Sequence, residues 1–254
     1  MKHYVDRLCE SRRNMKKIDI HSHILPGVDD GAKDEKQSLE MLKMAAADGI
    51  TDIIATPHFH YRRGHATPSQ IKAAAAKCQQ LIKDAGLNIN IYTGNELYYT
   101  HELLETVKAG EALTMADSDY VLLEFSPDTE RRKIQNAVYQ FLSEDYYPII
   151  AHMERYMAFQ KHPDFAYAIS DMGAYFQLNA GSLLGAAGWS TKRFSRAMLK
   201  SGMIHFIGTD THDIKNRPPQ LEKALTWLEK KFGEDEALQY VSKNPQMILK
   251  NEAI

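Results

Sequence analysis

The sequence has few cysteines, and their positions exclude one kind of chemistry. Cys9 and Cys78 are the only two cysteines among 254 residues, and they form neither a CxxC pair nor a disulfide framework. A cysteine-dependent tyrosine phosphatase places an arginine six positions after its nucleophile, so that one loop surrounds the phosphate. Met15 and Asp84 occupy those positions here. Phosphate chemistry based on a thiolate is therefore excluded.

Long apolar runs and an excess of charge of one sign are also absent. No run reaches the length of about 18 apolar residues that a membrane span needs. The first residues, MKHYVDRLCESRRN, contain no apolar segment of the kind found in a signal peptide. The net charge of −2 argues against a surface for nucleic acid or anionic lipid. We therefore expect a cytoplasmic protein that binds no nucleic acid and does not insert into a membrane.

What the sequence does contain is an alternation of short apolar runs with helical stretches. The apolar runs are rich in β-branched or aromatic residues, which is typical of buried parallel strands. Seven such runs occupy 17–20, 52–55, 89–92, 120–123, 148–151, 175–178 and 204–207. Helical patterns occupy 35–48, 69–85, 131–145 and 192–201, with starts at Thr67 and Thr191. Seven β-then-α units predict one parallel sheet with right-handed crossovers.

Polar residues follow at least six of the seven predicted strands. In an open, doubly wound sheet, ligands gather where the strand order reverses, which involves two or three strand ends. A barrel instead brings every carboxyl end to one mouth. The pattern therefore favours an α/β barrel of seven strands, with its site at the C-terminal mouth of the strands.

Five of the eleven histidines stand at predicted strand ends, beside carboxylates. His21 and His23 alternate along a strand, so both rings point to the same side, as metal ligands often do. Each feature also has an ordinary interpretation: a packed histidine pair, a turn at 29–31, or an ion pair for Glu96 or Glu124. Together the candidates exceed the needs of one ion and suffice for about three. They are His21, His23, Asp30, His58, Glu96, Glu124, His152, Asp210 and His212.

The ligand types restrict the metal, and two arginines indicate the substrate. Nitrogen and oxygen ligands without thiolate favour manganese, zinc or iron(II) over copper(I) or an iron–sulfur cluster. Arg155 and Arg217 follow the candidate ligands His152 and His212 closely in sequence. A guanidinium group matches phosphate oxygens bidentately, so the two arginines predict an oxyanion substrate, with solvated arginines as the alternative.

In this order, the motifs resemble those of the polymerase and histidinol phosphatase (PHP) superfamily. Within it, segments 18–23, 28–31, 151–156 and 210–217 are similar to the manganese-dependent protein tyrosine phosphatases of Gram-positive capsule and exopolysaccharide operons, the CpsB/CapC type. The similarity runs from about Met15 to Leu249. It makes residues 1–14 an N-terminal extension, 15–254 a single phosphatase domain and Met15 a candidate initiator. Met153 stands where a proline is common, but that position is not a ligand.

The resemblance implies the PHP fold, a distorted TIM-like (β/α)7 barrel, which binds three divalent ions. Mn2+ is expected, with iron, zinc or cobalt as alternatives. The implied ligand sets are His21, His23, Glu96 and Asp210 for one ion, Glu96, Glu124 and His152 for a second, and Asp30, His58 and His212 for a third. Arg155 and Arg217 are expected to bind the phosphate and to take part in catalysis.

The resemblance also implies a reaction, the hydrolysis of phosphotyrosine. The expected partner is the tyrosine-rich tail of a membrane-associated bacterial tyrosine autokinase. We expect a metal-bridging hydroxide to attack phosphorus in line, without a covalent phosphoenzyme, and His60 and His65 are candidates for a general acid. The basic runs 62–63 and 131–133 either guide an acidic phosphopeptide or are simply solvated.

Other functions remain open at this point. The leading alternative is a small-molecule phosphatase of the same superfamily, such as one that acts on histidinol phosphate. A nuclease, an amidohydrolase and a barrel that only binds partners are weaker alternatives.

Overall fold

The computed structural model describes residues 16–61 and 64–254. The predicted N-terminal extension, the candidate initiator Met15 and the basic pair at 62–63 lie outside the described residues. The strands are β1 (Ile18–Ser22), β2 (Asp52–Ala55), β3 (His58–Phe59), β4 (Asn90–Thr93), β5 (Glu96–Tyr98), β6 (Tyr120–Glu124), β7 (Tyr147–Ile150), β8 (Tyr175–Asn179) and β9 (Phe206–Gly208).

Helices follow most of the strands. They are α1 (Glu35–Ala47), α2 (Pro68–Asp84), α3 (Leu103–Lys108), α4 (Arg131–Leu142), α5 (Met157–Gln160), α6 (Asp164–Asp171), α7 (Ala180–Leu184), α8 (Trp189–Lys200), α9 (Leu221–Phe232), α10 (Glu234–Leu238) and α11 (Asn244–Lys250). Two 3₁₀ turns at Met115–Asp117 and Met153–Arg155 and a π-helical turn at Gln239–Lys243 complete the set. Within the described part of the chain, no helix is both long enough and apolar enough to cross a membrane.

All strand pairs of the described residues are parallel, but they form two sheets. The orders are β1-β2-β4 and β3-β5-β6-β7-β8-β9. The prediction of one continuous sheet is therefore wrong. The ladder breaks between β2 and β3, where Pro57 has no N–H to donate, and between β4 and β5 at residues 94–95. Each of the seven predicted runs coincides with a strand, and β3 and β5 are additional short segments beyond two of the breaks.

The parallel strands curve into a half-barrel whose first and last strands are tied together. Asp19 of β1 accepts a hydrogen bond from the backbone N–H of Thr209, just after β9, at 2.8 Å. Beyond it, the Asp210 N–H donates to the carbonyl of His21 at 2.7 Å. Gly208 is needed at this approach, because a Cβ there would lie 2.9 Å from the His21 Cβ. The ends of β1 and β9 are thus held side by side.

The core has two parts, which separate the two faces of the strands. Alternate residues of β1 and β6, such as Ile18, Ile20 and Leu122, pack in a small cluster that Ile248 of α11 joins. The opposite faces, such as that of Leu123, pack with the surrounding helices in a larger cluster. Alternation along each strand therefore places one face inward and one against the helices.

The first residue of helix α2 follows the local sequence signal, whereas that of helix α8 does not. Helix α2 starts directly after Thr67, as the sequence predicts, and Thr67 forms a capping box with Gln70. Helix α8 begins at Trp189, two residues before the expected start at Thr191, with Gly188 at its N-cap. Gly188 has a φ of 90°, a conformation that glycine adopts without steric cost.

Candidate metal centre

The ends of the parallel strands bring all nine predicted ligand residues into one cluster. Three groups within it each offer one ligand atom per residue, and the atoms of a group lie within 4.8 Å of one another. The groups are His21, His23, Glu96 and Asp210; His23, Asp30, His58 and His212; and His58, Glu96 and Glu124. The first group is the set that the resemblance implies. The second group contains the implied set of Asp30, His58 and His212 and also His23. The third group contains Glu96 and Glu124 of the remaining implied set, with His58 in place of His152.

Glu96 lies at the centre of this cluster. Its Oε2 lies 3.2 Å from His21 Nε2, 3.3 Å from His23 Nε2 and 2.9 Å from His58 Nδ1. Its Oε1 lies 2.7 Å from Nε2 of His152, which contacts the cluster in this way. Burial by itself would raise the pKa of Glu96, but the adjacent histidines hold that pKa well below its usual range. Glu96 is therefore an ionised carboxylate in a buried position.

The hydrogen bonds of two histidines direct their Nε2 atoms toward one point. His21 Nδ1 lies 3.2 Å from Oε1 of Gln177, an oxygen that already accepts from the His152 N–H. His23 Nδ1 lies 2.6 Å from Oδ2 of Asp29. Both Nδ1 atoms therefore carry a proton, and the two Nε2 atoms, 3.2 Å apart, face each other and are the nitrogens that can bind a cation in exchange for a proton. Such an arrangement fits a cation between them.

Two buried atoms of the cluster support the same conclusion. Glu96 Oε2 and His212 Nε2 are buried and make no well-aligned hydrogen bond, although three imidazole nitrogens lie within 3.3 Å of the Glu96 oxygen. Buried polar atoms are rarely left without a partner, because desolvation is then uncompensated. The donor set of imidazole nitrogens and carboxylate oxygens, without thiolate, suits a divalent cation such as manganese, zinc or iron.

Several residues around the cluster were not predicted from the sequence. Asp29 bonds His23 and also accepts from the backbone N–H groups of Gly31 and His58, at 3.0 and 3.1 Å. Although burial opposes it, the neighbouring His23 lowers the pKa of Asp29 to about 2. A Cβ on Gly31 would lie 2.0 Å from the carbonyl oxygen of His23, so this loop requires glycine. The Asp29 carboxylate thereby orients one histidine and the loop that carries another.

Strand β8 supplies two further supporting residues. Gln177 bonds His21, and Asn179 donates to Oδ2 of Asp210 at 2.6 Å. Tyr156, outside this strand, places its hydroxyl 3.1 Å from His152 Nδ1. The sequence signal for the first two was the alternation of polar residues in an otherwise apolar strand, which turns both toward the cluster.

The two predicted arginines meet at a single carboxylate oxygen. Arg155 Nη2 lies 2.7 Å and Arg217 Nη2 2.5 Å from Oδ2 of Asp210. Both arginine side chains are 38% exposed, whereas that of Asp210 is 1% exposed. Burial opposes ionisation of Asp210, but His21, His23 and Arg155 hold its pKa well below the usual range. The guanidinium groups thus stand where the buried cluster meets solvent.

Two residues of the cluster adopt left-handed backbone conformations. His152 has a φ of 30° and Asp210 a φ of 52°. Residues other than glycine rarely have positive φ, and the cost of about 1–3 kcal/mol is typically found at functional sites. The surrounding structure therefore holds these two side chains in place at the expense of local backbone stability.

The two general-acid candidates lie beside this cluster, whereas the basic run at 131–133 begins in a different part of the molecule. His60 and His65 line a cavity that Asp30, His58 and Glu124 also border. Residues 131 and 132 open α4 and line a separate groove, together with Met157 and Phe165.

Comparison with known proteins shows similarity over nearly the whole chain. A family described as capsular polysaccharide synthesis, CpsB/CapC, matches residues 17–250. The tyrosine-protein phosphatase YwqE of Bacillus subtilis is 34% identical over 238 residues, covering 93% of each chain. The tyrosine-protein phosphatase CpsB of Streptococcus pneumoniae is 31% identical, covering 93% of this chain and 100% of that protein.

Solved structures show the same relationship. A crystal structure from work on YwqE of Bacillus subtilis and CpsB of Streptococcus pneumoniae, described as metal-dependent tyrosine phosphatases, matches with a TM-score of 0.89. Its sequence is 33% identical, and the match covers 93% of this chain and 96% of that chain. A histidinol phosphate phosphatase from Lactococcus lactis matches with a TM-score of 0.53 at 19% identity, which indicates a shared fold alone.

Proposed function

Because this chain belongs to the CpsB/CapC family of capsular polysaccharide synthesis, we propose that its buried histidine–carboxylate cluster is the catalytic metal centre. The chain is a metal-dependent protein tyrosine phosphatase. The observation that carries the proposal is the convergence of the Nε2 atoms of His21 and His23 on the carboxylates of Glu96 and Asp210.

Three divalent ions would use all nine residues of the cluster as ligands, and manganese is the metal that we expect. We assign one ion to His21, His23, Glu96 and Asp210, one to Glu96, Glu124 and His152, and one to Asp30, His58 and His212. Glu96, with four histidine nitrogens within 3.3 Å of its two oxygens, is placed to serve two ions. His58 lies near atoms of two groups and can serve either of two ions.

The proposed centre lies at the carboxyl ends of the strands, in a distorted (β/α)7 barrel. The hydrogen bonds between the ends of β1 and β9 and the seven strand runs support this arrangement. Bound divalent ions would supply positive charge and an activated water for hydrolysis of the phosphate ester. The phenolate of tyrosine, with a pKa of about 10, leaves without a strong general acid.

Arg155 and Arg217 bind the substrate phosphate in this proposal. Each guanidinium has one nitrogen on Asp210 Oδ2, which orients it, and each arginine side chain is 38% exposed, so that a ligand from solvent can reach it. Charge-assisted hydrogen bonds from these groups would hold the non-bridging phosphate oxygens and orient the ester. The roles of His60 and His65 as general acids stay predictions.

The substrate is a phosphotyrosyl protein. The family's part in capsular polysaccharide synthesis supports the tail of a bacterial tyrosine autokinase as the specific partner. A cytoplasmic location and the lack of nucleic-acid binding stay predictions from the sequence.

The deciding experiment compares two substrates on the same metal-loaded enzyme. After chelation and reloading with manganese, zinc, iron or cobalt, kcat/KM is measured with a phosphotyrosyl peptide and with histidinol phosphate. We expect the manganese enzyme to prefer the peptide. His21→Ala should remove metal and activity together, whereas His162→Ala, at an exposed position, should change neither. Faster turnover of histidinol phosphate would contradict the proposed function.

A further inference from the structure

A cavity of about 420 Å³ opens directly beside the proposed metal centre. Asp30, His58 and Glu124 border it on the inner side. We name this cavity the aromatic pocket. The rest of its wall consists of Val28, Asp29, Phe59, His60, Gly64, His65 and Tyr98, four of which carry aromatic rings. The volume lies within the range of about 300–1,000 Å³ that is typical of small-molecule sites.

The register of the strands explains why this wall adjoins the cluster. His58 of β3 pairs with Glu96 of β5, and Tyr98 of β5 pairs with Glu124 of β6. Side chains alternate along a strand, so Tyr98 faces the same side as Glu96, and His60 the same side as His58. The strands that carry the proposed ligands thus carry the aromatic wall two residues farther along.

The aromatic rings of this wall already pack against one another, and the ring of a ligand could add to this stacking. The rings of His60 and Tyr98 are stacked, with centroids 4.5 Å apart and an interplanar angle of 16°. His65 packs on Phe59 with centroids 4.0 Å apart. Tyr98 and His60 are half-buried, so their ring surfaces are partly open to the cavity. Offset stacking on such surfaces favours a planar aromatic group.

The side of the cluster that carries the two arginines has different chemistry. A smaller cavity of about 170 Å³ is lined by Arg155, Asn179, Ser182 and Arg217 among others, and none of its lining residues is aromatic. This side suits the charged phosphoryl group and offers no surface for stacking. The aromatic pocket therefore suits the ring of an aryl phosphate, and the smaller cavity suits its phosphoryl group.

We propose that the aromatic pocket binds the tyrosyl ring of the substrate and determines the preference for phosphotyrosine over phosphoserine. The inference rests on the proposed function, because it needs the phosphate to lie at the metal centre. A phosphoserine side chain has no ring and would leave the pocket empty. Tyr98 and Val28 are then the residues that determine specificity, through contact with the leaving group.

Binding of two unreactive probes tests the pocket apart from turnover. Phenylphosphonate and methylphosphonate are titrated calorimetrically into the manganese-loaded enzyme, with metal content measured for every variant. We expect the wild type to bind phenylphosphonate about tenfold more tightly. Tyr98→Ala should remove most of this preference without lowering the affinity for methylphosphonate. Tyr98→Phe should keep it, because the ring and not the hydroxyl makes the contact.

A variant that fills the pocket gives an independent test should Tyr98→Ala fail to fold. Val28→Trp should also abolish the preference for the phenyl group and leave methylphosphonate binding intact. Tyr139→Ala is the matched control, because Tyr139 is 67% exposed on α4 and lines the separate groove. An unchanged preference in folded Tyr98→Ala or Val28→Trp, or no preference in the wild type, would overturn the inference.

The proposed function can fail separately. A wild type that shows the phenyl preference but does not hydrolyse a phosphotyrosyl peptide would contradict the function and leave the aromatic pocket as a binding site.

Discussion

Asp29 holds His23 through a 2.6 Å hydrogen bond between Oδ2 and Nδ1, and thereby directs His23 Nε2 into the cluster. Carboxylates of this kind fix the tautomer and orientation of a metal-binding histidine. Asp29→Asn should therefore weaken metal binding by about 10–100-fold. Metal titration of the chelated protein measures this, with the exposed Asp84→Asn as the control. Unaltered affinity in the Asp29 variant would remove Asp29 from the metal site.

Glu96 is expected to bind two ions, and its loss should reduce metal content as well as rate. In Glu96→Ala both sites lose a charged ligand, and four histidines lose the carboxylate between them. Elemental analysis should show fewer ions per chain than in the wild type or in Glu111→Ala, which changes an exposed residue. A full metal content in Glu96→Ala would show that Glu96 does not bridge two ions.

Replacing Arg155 or Arg217 should impair substrate binding and catalysis without releasing metal. Each charge-assisted hydrogen bond contributes about 1.5–3 kcal/mol, so alanine should lower kcat/KM by roughly 10–150-fold. Lysine should restore activity only in part, because an ammonium group lacks the planar fork. Arg193→Ala, on the exposed side of α8, is the control. Wild-type kcat/KM in Arg217→Ala with the phosphotyrosyl peptide would place Arg217 outside the substrate site.

Activity should depend on metal and not on a thiol. Burial raises the pKa of the Cys78 thiol to about 11, so that almost no thiolate exists at neutral pH. Iodoacetamide should leave the turnover of the metal-loaded enzyme largely intact. Chelation should abolish turnover, and manganese should restore it. Rapid inactivation of the loaded enzyme by iodoacetamide would contradict a metal-based mechanism.

His205 should make the protein less stable as the pH falls below 6.5. Burial lowers its pKa to about 4, and its Nδ1 accepts a hydrogen bond from the Phe176 N–H at 3.1 Å. Because the unfolded chain binds this proton near pH 6.5, the contribution is complete above that pH and is lost progressively down to about pH 4. Denaturant unfolding across this interval measures the slope.

His205→Asn is the matched comparison, since its Oδ1 can accept the same hydrogen bond. The variant should show a smaller fall in the free energy of unfolding between pH 6.5 and 4 than the wild type does. Equal slopes would mean that His205 titrates normally in the folded state.

Local patterns in the sequence determined much of the fold and the membership of the site. Buried strands must present apolar side chains, so all seven runs were recognisable without a structure. The capping box at Thr67 was equally local, since its two hydrogen bonds lie within four residues. The candidate ligands were identifiable because carboxylates are seldom buried without a charged partner or a metal, and several of them end apolar runs beside histidines.

Tertiary structure alone decided the grouping of those ligands and their support. Strands as short as β3 and β5 exist only because a neighbouring strand pairs with them, so no local pattern predicted them. The contact between His21 and Gln177 joins residues 156 positions apart, and spacing along a chain holds no information about such a pair. His58 likewise lies beside Glu96 and Glu124 because of strand register. Residue types along the chain thus determined which atoms are candidate ligands of a cation, whereas the packing of parallel strands decided which of them lie together.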